Sequence, residues 1–157
     1  MISLRTDAIG GLAVIFDAKH IEQCQGRLLK VDASGDVVFD RRFTSTEKDT
    51  NIECYGLQPT PDAGFILTCG TGVEPELHPK DSQRSKTWRV LVHRTDARGA
   101  QVWQKAYTDN SKLKDNAGEY IVTTRSGEYA VYVDSQTYGS PSTGGNFAIM
   151  LLGADTH

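Results

Sequence analysis

The sequence contains no long apolar run and no basic leader. The apolar stretch 12–16 is far shorter than the roughly 20 residues that a transmembrane helix needs, and it follows two glycines as a strand would. The residues before it lack the positively charged start and the continuous apolar region of a signal peptide. We therefore predict a soluble chain with no membrane insertion and no export signal in the residues given.

An excess of one charge is also missing. The sequence has 17 Lys+Arg against 20 Asp+Glu, a formal net charge of -3, so it offers no general attraction to nucleic acid or anionic lipid. With 38% hydrophobic and 24% charged residues in a chain of 157, the composition is typical of one folded domain. It disfavours disorder, collagen and coiled coils.

Cysteine is scarce. Cys24, Cys54 and Cys69 are an odd number and lack the spacing of metal ligands. Buried free thiols are the favoured interpretation. A bridge between Cys54 and Cys69 stays open, because both residues fall in neighbouring predicted strands of one unit.

An internal repeat is the most informative feature that is present. When the chain is shifted along itself by roughly 64 residues, segment 27–71 falls on segment 91–135. The identical or similar pairs at this shift include Asp32/Asp96, Gly35/Gly99, Thr60/Thr124, Phe39/Trp103, Arg41/Lys105 and Phe43/Tyr107. Each copy predicts four strands, rich in β-branched and aromatic residues and bounded by Gly, Pro, Asp and Ser.

The first hairpin of each copy has a turn with a physical explanation. In segments 32–35 and 96–99, an Asp opens the turn and a Gly closes it. The Asp can accept backbone hydrogen bonds, and the Gly can adopt the positive φ that rejoins the strand. After the turn, Phe39 and Phe43 are four residues apart, so they share one face of a strand. We predict that this face contacts a neighbouring sheet.

The ends of the chain carry a third, split copy. We assign a single repeat domain, 1–157. Within it, 1–26 is the end of one unit, 27–71 and 89–135 are complete units, and 144–157 is the start of the next.

With these residues identified, the chain resembles a widespread class of bacterial-type β-propeller repeats. A blade of this class reads as an apolar strand, Asp-x-x-Gly, an aromatic strand, and then Thr-x-Asp-Gly-Gly-aromatic. The matching segments here are 28–39, 60–67 and 91–107, and the loop 72–86 lies outside the resemblance. The resemblance implies an all-β fold of four-stranded antiparallel blades, about two complete blades plus a split third.

A β-trefoil is the alternative fold. Its length and threefold repeat fit, and segment 101–103 (Gln-Val-Trp) suits it. The shift between copies is longer than the roughly 50 residues of a trefoil repeat, and a second Gln-x-Trp is absent.

Fewer than three blades cannot close a propeller, which has four to eight. An incomplete ring leaves exposed sheet edges and an exposed apolar face. We therefore expect the chain to self-associate, with two copies closing a ring of about six blades, or to be joined by additional blades of a parent protein.

No catalytic, metal or cofactor site is predicted. His78 lies near two carboxylates, but a solvated loop stiffened by proline is the preferred interpretation. The Gly-rich segments 70–72 and 143–145 do not open a helix, so they do not predict a phosphate loop. The acidic residues considered for a hydrolase are Glu74, Glu76, Asp81 and Glu119, and no acidic residue stands at the corresponding positions of the other copy.

Ligand binding is predicted at residues outside the structural positions of the repeat. These residues are Trp88, Gln136, Tyr138 and Glu119. An aromatic face beside amide, hydroxyl and acidic groups suits a sugar ring, whereas packing at strand ends is the other interpretation of both aromatic residues. We predict a non-enzymatic binding or assembly module, lectin-like in one version. A hydrolase acting on glycans or lactones is the alternative.

Overall fold

The chain is an all-β protein. The computed structural model describes residues 2–6, 12–20, 23–46, 50–73, 88–107, 115–136 and 146–153, with side chains from residue 25 onward. The strands are β1 (Ile2–Thr6), β2 (Leu12–His20), β3 (Gln23–Val31), β4 (Val37–Phe43), β5 (Asn51–Pro59), β6 (Phe65–Gly72), β7 (Arg89–Thr95), β8 (Gln101–Tyr107), β9 (Asn116–Thr123), β10 (Tyr129–Ser135) and β11 (Asn146–Leu152). Across these ranges no helix has the length and apolar character that crossing a membrane requires.

The strands form three antiparallel sheets in which the strand order follows the chain. β1–β4 make the first sheet, β5–β8 the second and β9–β11 the third. These boundaries differ from those of the sequence units. The unit 27–71 supplies most of β3 and all of β4 to the first sheet, and it supplies β5 and β6 to the second. One sequence unit therefore combines half of one sheet with half of the next.

Register shifts repeat with the same period as the sequence. In β4 and β8 the unpaired extra residues are Val38 and Val102, and in β5 and β9 they are Tyr55 and Glu119. Each pair is related by the shift of roughly 64 residues that aligns the two copies. Tyr55 and Glu119 are therefore equivalent positions on the first strands of two sheets. A bulge redirects the side chain of its extra residue.

Four turns share one hydrogen-bond pattern. In segments 32–36, 60–64, 96–100 and 124–128, the first N–H donates to the fifth carbonyl and the fourth N–H donates to the first carbonyl. Asp32 and Asp96 also accept bonds from the N–H groups two and four residues later. The fourth position has positive φ at Gly35, Gly99 and Gly127. The roles predicted for Asp and Gly in segments 32–35 and 96–99 are confirmed.

Ala63 is the exception at this fourth position, with a φ of 64°. A left-handed backbone costs a residue with a Cβ about 1–2 kcal/mol. We expect Ala63→Gly to raise the free energy of unfolding by about 0.5–1 kcal/mol in urea denaturation, because the relieved strain exceeds the added entropy of the unfolded chain. Gly127→Ala is the matched control, since a Cβ there would have no atom within 4 Å. It should lower the stability by about 1 kcal/mol, and a loss in both variants would contradict the strain at Ala63.

The first core lies between the first and second sheets. Its members are Leu28, Phe39 and Phe43 of the first sheet and Ile52, Cys54, Leu57, Phe65, Leu67, Cys69 and Leu91 of the second. Phe39 meets Phe65 edge-on, with ring centroids 6.2 Å apart. The prediction that Phe39 and Phe43 face a neighbouring sheet is confirmed.

The second core lies between the second and third sheets. Its members are Ile66, Val90 and Val92 of the second sheet and Ile121, Tyr129, Val131, Val133 and Leu152 of the third. Trp103 and Tyr107, the counterparts of Phe39 and Phe43, lie partly buried against it. Since Ile66 and Leu67 are adjacent on β6 but belong to different cores, the second sheet is covered on both faces.

A disulfide joins β5 to β6. Cys54 and Cys69 are directly opposite in the register, with Cα atoms 3.9 Å apart, and both side chains are fully buried in the first core. The favoured interpretation of free thiols is wrong for this pair, and the bridge that had stayed open is present. Structural disulfides persist in oxidising compartments.

Candidate functional site

Trp88 packs on the second sheet. A Cβ added to Gly70 or Gly72 of β6 would fall 2.8 Å from its indole ring, so both glycines make room for it. Segment 70–72 is the end of β6, and its two glycines leave space for the Trp88 ring. This half-buried position agrees with the packing interpretation of Trp88, and a ligand role for this residue stays a prediction.

Asp115 brings Trp88 and Gln136 to one corner, where β7 and β9 begin and β10 ends. The backbone N–H of Trp88 donates to Asp115 Oδ1 at 2.8 Å, and the backbone N–H of Gln136 donates to the Asp115 carbonyl at 2.9 Å. The Asn116 N–H donates to the Trp88 carbonyl at 2.8 Å, and the Ser135 hydroxyl donates to Asn116 Oδ1 at 2.5 Å. Two predicted ligand residues thus lie together, but backbone bonds hold them there.

Glu119 lies on β9 beside other acidic groups. Its partial burial raises its pKa, and the negative charges of Asp134 and Glu53 raise it further. Tyr55, the equivalent bulge residue of β5, donates its hydroxyl to Glu53 Oε2 at 2.5 Å. Within the described ranges, no three His, Cys, Asp or Glu residues form a group that could hold a metal ion. In the sequence, this region is indicated by the alignment of Tyr55 with Glu119 when the chain is shifted along itself by roughly 64 residues.

The other candidate residues lie outside the described residues. They are Tyr138, His78, Glu74, Glu76 and Asp81.

His93 is buried on β7. Its ring stacks on Phe43 of the first sheet, with centroids 4.0 Å apart and planes at 8°, and burial lowers its pKa to about 4. Gln104 Nε2 lies 3.2 Å from His93 Nδ1 and also donates to the Thr44 carbonyl, while Gln104 Oε1 accepts from the Thr46 N–H. These two backbone bonds orient the amide, so Nδ1 is an acceptor and the neutral ring carries its proton on Nε2.

The outer face of the third sheet is apolar and open. Its large exposed side chains are Tyr120, Val122, Tyr132, Phe147, Ile149 and Leu151. Phe147 and Leu151 are 66% and 65% exposed, and Phe147 stacks on Tyr132 with centroids 5.8 Å apart. A contiguous apolar patch of this kind marks an interaction surface.

A cleft of about 480 Å³ lies between the first and second sheets. The polar side chains among its walls are Gln25, Arg41, Arg42, Thr44, Thr95 and Gln101. The turn 96–100 forms part of its rim, where Gly99 has a φ of 73° and a Cβ would lie 2.7 Å from the Phe39 ring. Sequence reasoning missed this cleft, and the repeated basic pair Arg41/Lys105 was its available signal. Arg41 lies 5.9 Å from the Phe39 ring centroid, and Lys105 lies 5.3 Å from that of Tyr107.

No protein-family model matches this chain, and no curated protein sequence matches it. The function is therefore argued from its own surfaces.

Proposed function

We propose that this chain is a non-enzymatic assembly module of the β-propeller type, in which the three sheets are consecutive blades. The observation that carries the proposal is the open apolar face of the third sheet. The module would be completed by self-association through this face.

The way the sheets pack supports the propeller arrangement. β5 contacts β1, β2 and β3, and β9 contacts β5, β6 and β7. The first strand of each later sheet therefore lies against the first three strands of the sheet before it. Separate meanders packed face to face in chain order are typical of blades, and they favour a propeller over the closed barrel of a β-trefoil.

The open face corresponds to a face that is already covered within the chain. Phe65 pairs with Thr95 and Tyr129 pairs with Leu152, so β11 occupies in the third sheet the place of β7 in the second. By this register, Phe147 and Ile149 correspond to Val90 and Val92, which the third sheet buries. A fourth sheet packed in the same way would cover Phe147 and Ile149.

The occupant we propose is the first sheet of a second copy. In the register of the first sheet, one cross-strand row is Leu4, Val14 and Leu29, and a second is Leu12 and Val31. These rows are apolar in sequence, as an interface between sheets requires. Two copies joined at both such faces would contain about six sheets, which is within the range of closed propellers.

The mass in solution tests the proposal. We expect the chain to elute with a light-scattering mass of about twice 17.2 kDa. Ile149→Lys should give monomer, because each large apolar side chain buried contributes about 1.5–3 kcal/mol and a lysine there would be buried unpaired. Val102→Lys is the matched control, since Val102 is 53% exposed against 57% for Ile149 but lies on the second sheet, and it should stay dimeric.

Two outcomes would overturn the proposal. One is a 17.2 kDa monomer at every concentration up to about 200 µM, and the other is a dimer that Ile149→Lys leaves intact. Carbohydrate binding at Trp88 and Gln136 stays a prediction. The hydrogen bonds that hold these two residues in one corner come from their backbone N–H groups.

A further inference from the structure

The cleft between the first and second sheets has the size of a ligand site. Its volume of about 480 Å³ is within the range of small-molecule pockets, roughly 300–1,000 Å³. It is distinct from the open face of the third sheet, so a ligand bound in the cleft would not require self-association.

Arg41 supplies a cationic group to the cleft. Arg41 pairs across the sheet with Leu28, and Leu28 belongs to the core that faces the second sheet. The neighbouring carboxylate, Asp40, is engaged by Arg27 through two hydrogen bonds of 2.7 and 2.5 Å. Arg41 itself makes a 3.4 Å contact with the Asp40 carbonyl, and in the described part of the chain no carboxylate forms an ion pair with it. Its guanidinium therefore keeps N–H donors for a ligand.

Thr95 supplies a second, independent sign of a ligand. It is only 1% exposed, it borders the cleft, and its hydroxyl has no hydrogen-bond partner among the described residues. A buried hydroxyl without a partner is costly, and such a group in a native protein needs an explanation. A ligand hydroxyl that enters the cleft would satisfy it.

The remaining walls suit a polyol. The Gln25 and Gln101 amides and the Thr44 hydroxyl offer both donors and acceptors. Gly99 places its turn against Arg41, since a Cβ there would come within 3.0 Å of Arg41 Cγ. This contact holds the stem of the guanidinium beside the polar groups.

We propose that this cleft binds a hexuronate, with the sugar carboxylate on Arg41 and a sugar hydroxyl on Thr95. A guanidinium binds a carboxylate through two parallel hydrogen bonds, which fixes its orientation. The hydroxyl contact adds selectivity for a sugar acid over a simple carboxylate.

Titration followed by amide chemical shifts tests the site, with glucuronate, glucose and acetate as probes. We expect glucuronate to shift resonances of the turn 96–100 and to bind at least tenfold more tightly than glucose or acetate. Arg41→Gln should weaken glucuronate binding at least tenfold. Arg125→Gln is the charge-matched control, because Arg125 is exposed in the turn 124–128 and is not among the residues that line the cleft, and it should leave the affinity within about twofold.

Thr95→Val separates the ligand role from a structural role. Because its hydroxyl has no partner among the described residues, the variant should unfold at no lower urea concentration, yet it should bind glucuronate several-fold more weakly. Repeating the titration on Ile149→Lys keeps the result independent of assembly.

The proposal is overturned by any of three results. They are no saturable shift at about 50 mM glucuronate, equal affinity for glucose or acetate, and equal effects of Arg41→Gln and Arg125→Gln.

Discussion

Removal of the Cys54–Cys69 bridge is expected to lower the free energy of unfolding by about 3 kcal/mol. The two cysteines are 15 residues apart, and cross-linking a loop of that length restricts the unfolded chain by about this amount. The comparison is between the wild type and the double variant Cys54→Ala, Cys69→Ala, by urea denaturation without reductant. Alanine retains an apolar side chain at both buried positions, so most of the loss comes from the missing bridge.

Cys24→Ser is the matched control for this experiment. It retains the bridge, so its stability should fall when dithiothreitol is added, as that of the wild type should. The double alanine variant should not respond to dithiothreitol. If the reductant leaves the unfolding midpoint of Cys24→Ser unchanged, the bridge does not form or does not stabilise the fold.

Acid is expected to destabilise the protein by about 3 kcal/mol through His93 alone. Its pKa is lowered to about 4 in the folded state from the ordinary 6.5, by burial. The unfolded chain therefore binds a proton on this side chain at a higher pH than the folded chain does. The contribution to stability is complete above about pH 6.5 and is lost as the pH falls toward 4, at about 1.4 kcal/mol per pH unit.

His93→Leu isolates this contribution. Urea denaturation of both proteins between pH 7 and pH 4 should show the wild type losing about 3 kcal/mol more than the variant. The carboxylates that also titrate below pH 5 are shared by both proteins, so they cancel in the difference. Parallel pH profiles would contradict the neutral, buried state of His93, in which Nδ1 accepts from Gln104.

The local features of the fold could be predicted because they depend on neighbours in the chain. A positive φ at Gly35 and Gly99 follows from the Asp-x-x-Gly turns. The shared face of Phe39 and Phe43 follows from the alternation of side chains along a strand. The bulges at Tyr55 and Glu119 could not be predicted from the residues around them, and the repeat alignment shows only that the two positions correspond.

The division into sheets could not be predicted in the same way. β4 and β5 are close in sequence but belong to different sheets, whereas β6 pairs with β7 across the long segment 73–88. Any strand edge can pair with any other through its N–H and C=O groups. The choice therefore depends on which faces are buried between sheets.

The candidate site shows the same limit. An aromatic residue outside the repeat pattern, such as Trp88, fits either a ligand platform or a packing role, and its contact with Gly70 and Gly72 favours packing. Arg41 and Thr95 belong to different sequence units, and no spacing rule connects them. Only the packing of the first sheet on the second places both at one cleft.

The all-β class, the repeat and the turn conformations are specified by the amino-acid sequence, because backbone dihedral preferences and side-chain alternation act over a few residues. Tertiary packing sets the sheet boundaries, the pairing of Cys54 with Cys69, the cleft and the open face of the third sheet. These features join residues that are far apart in the chain. They depend on the burial of apolar surface between whole sheets, which no local pattern encodes.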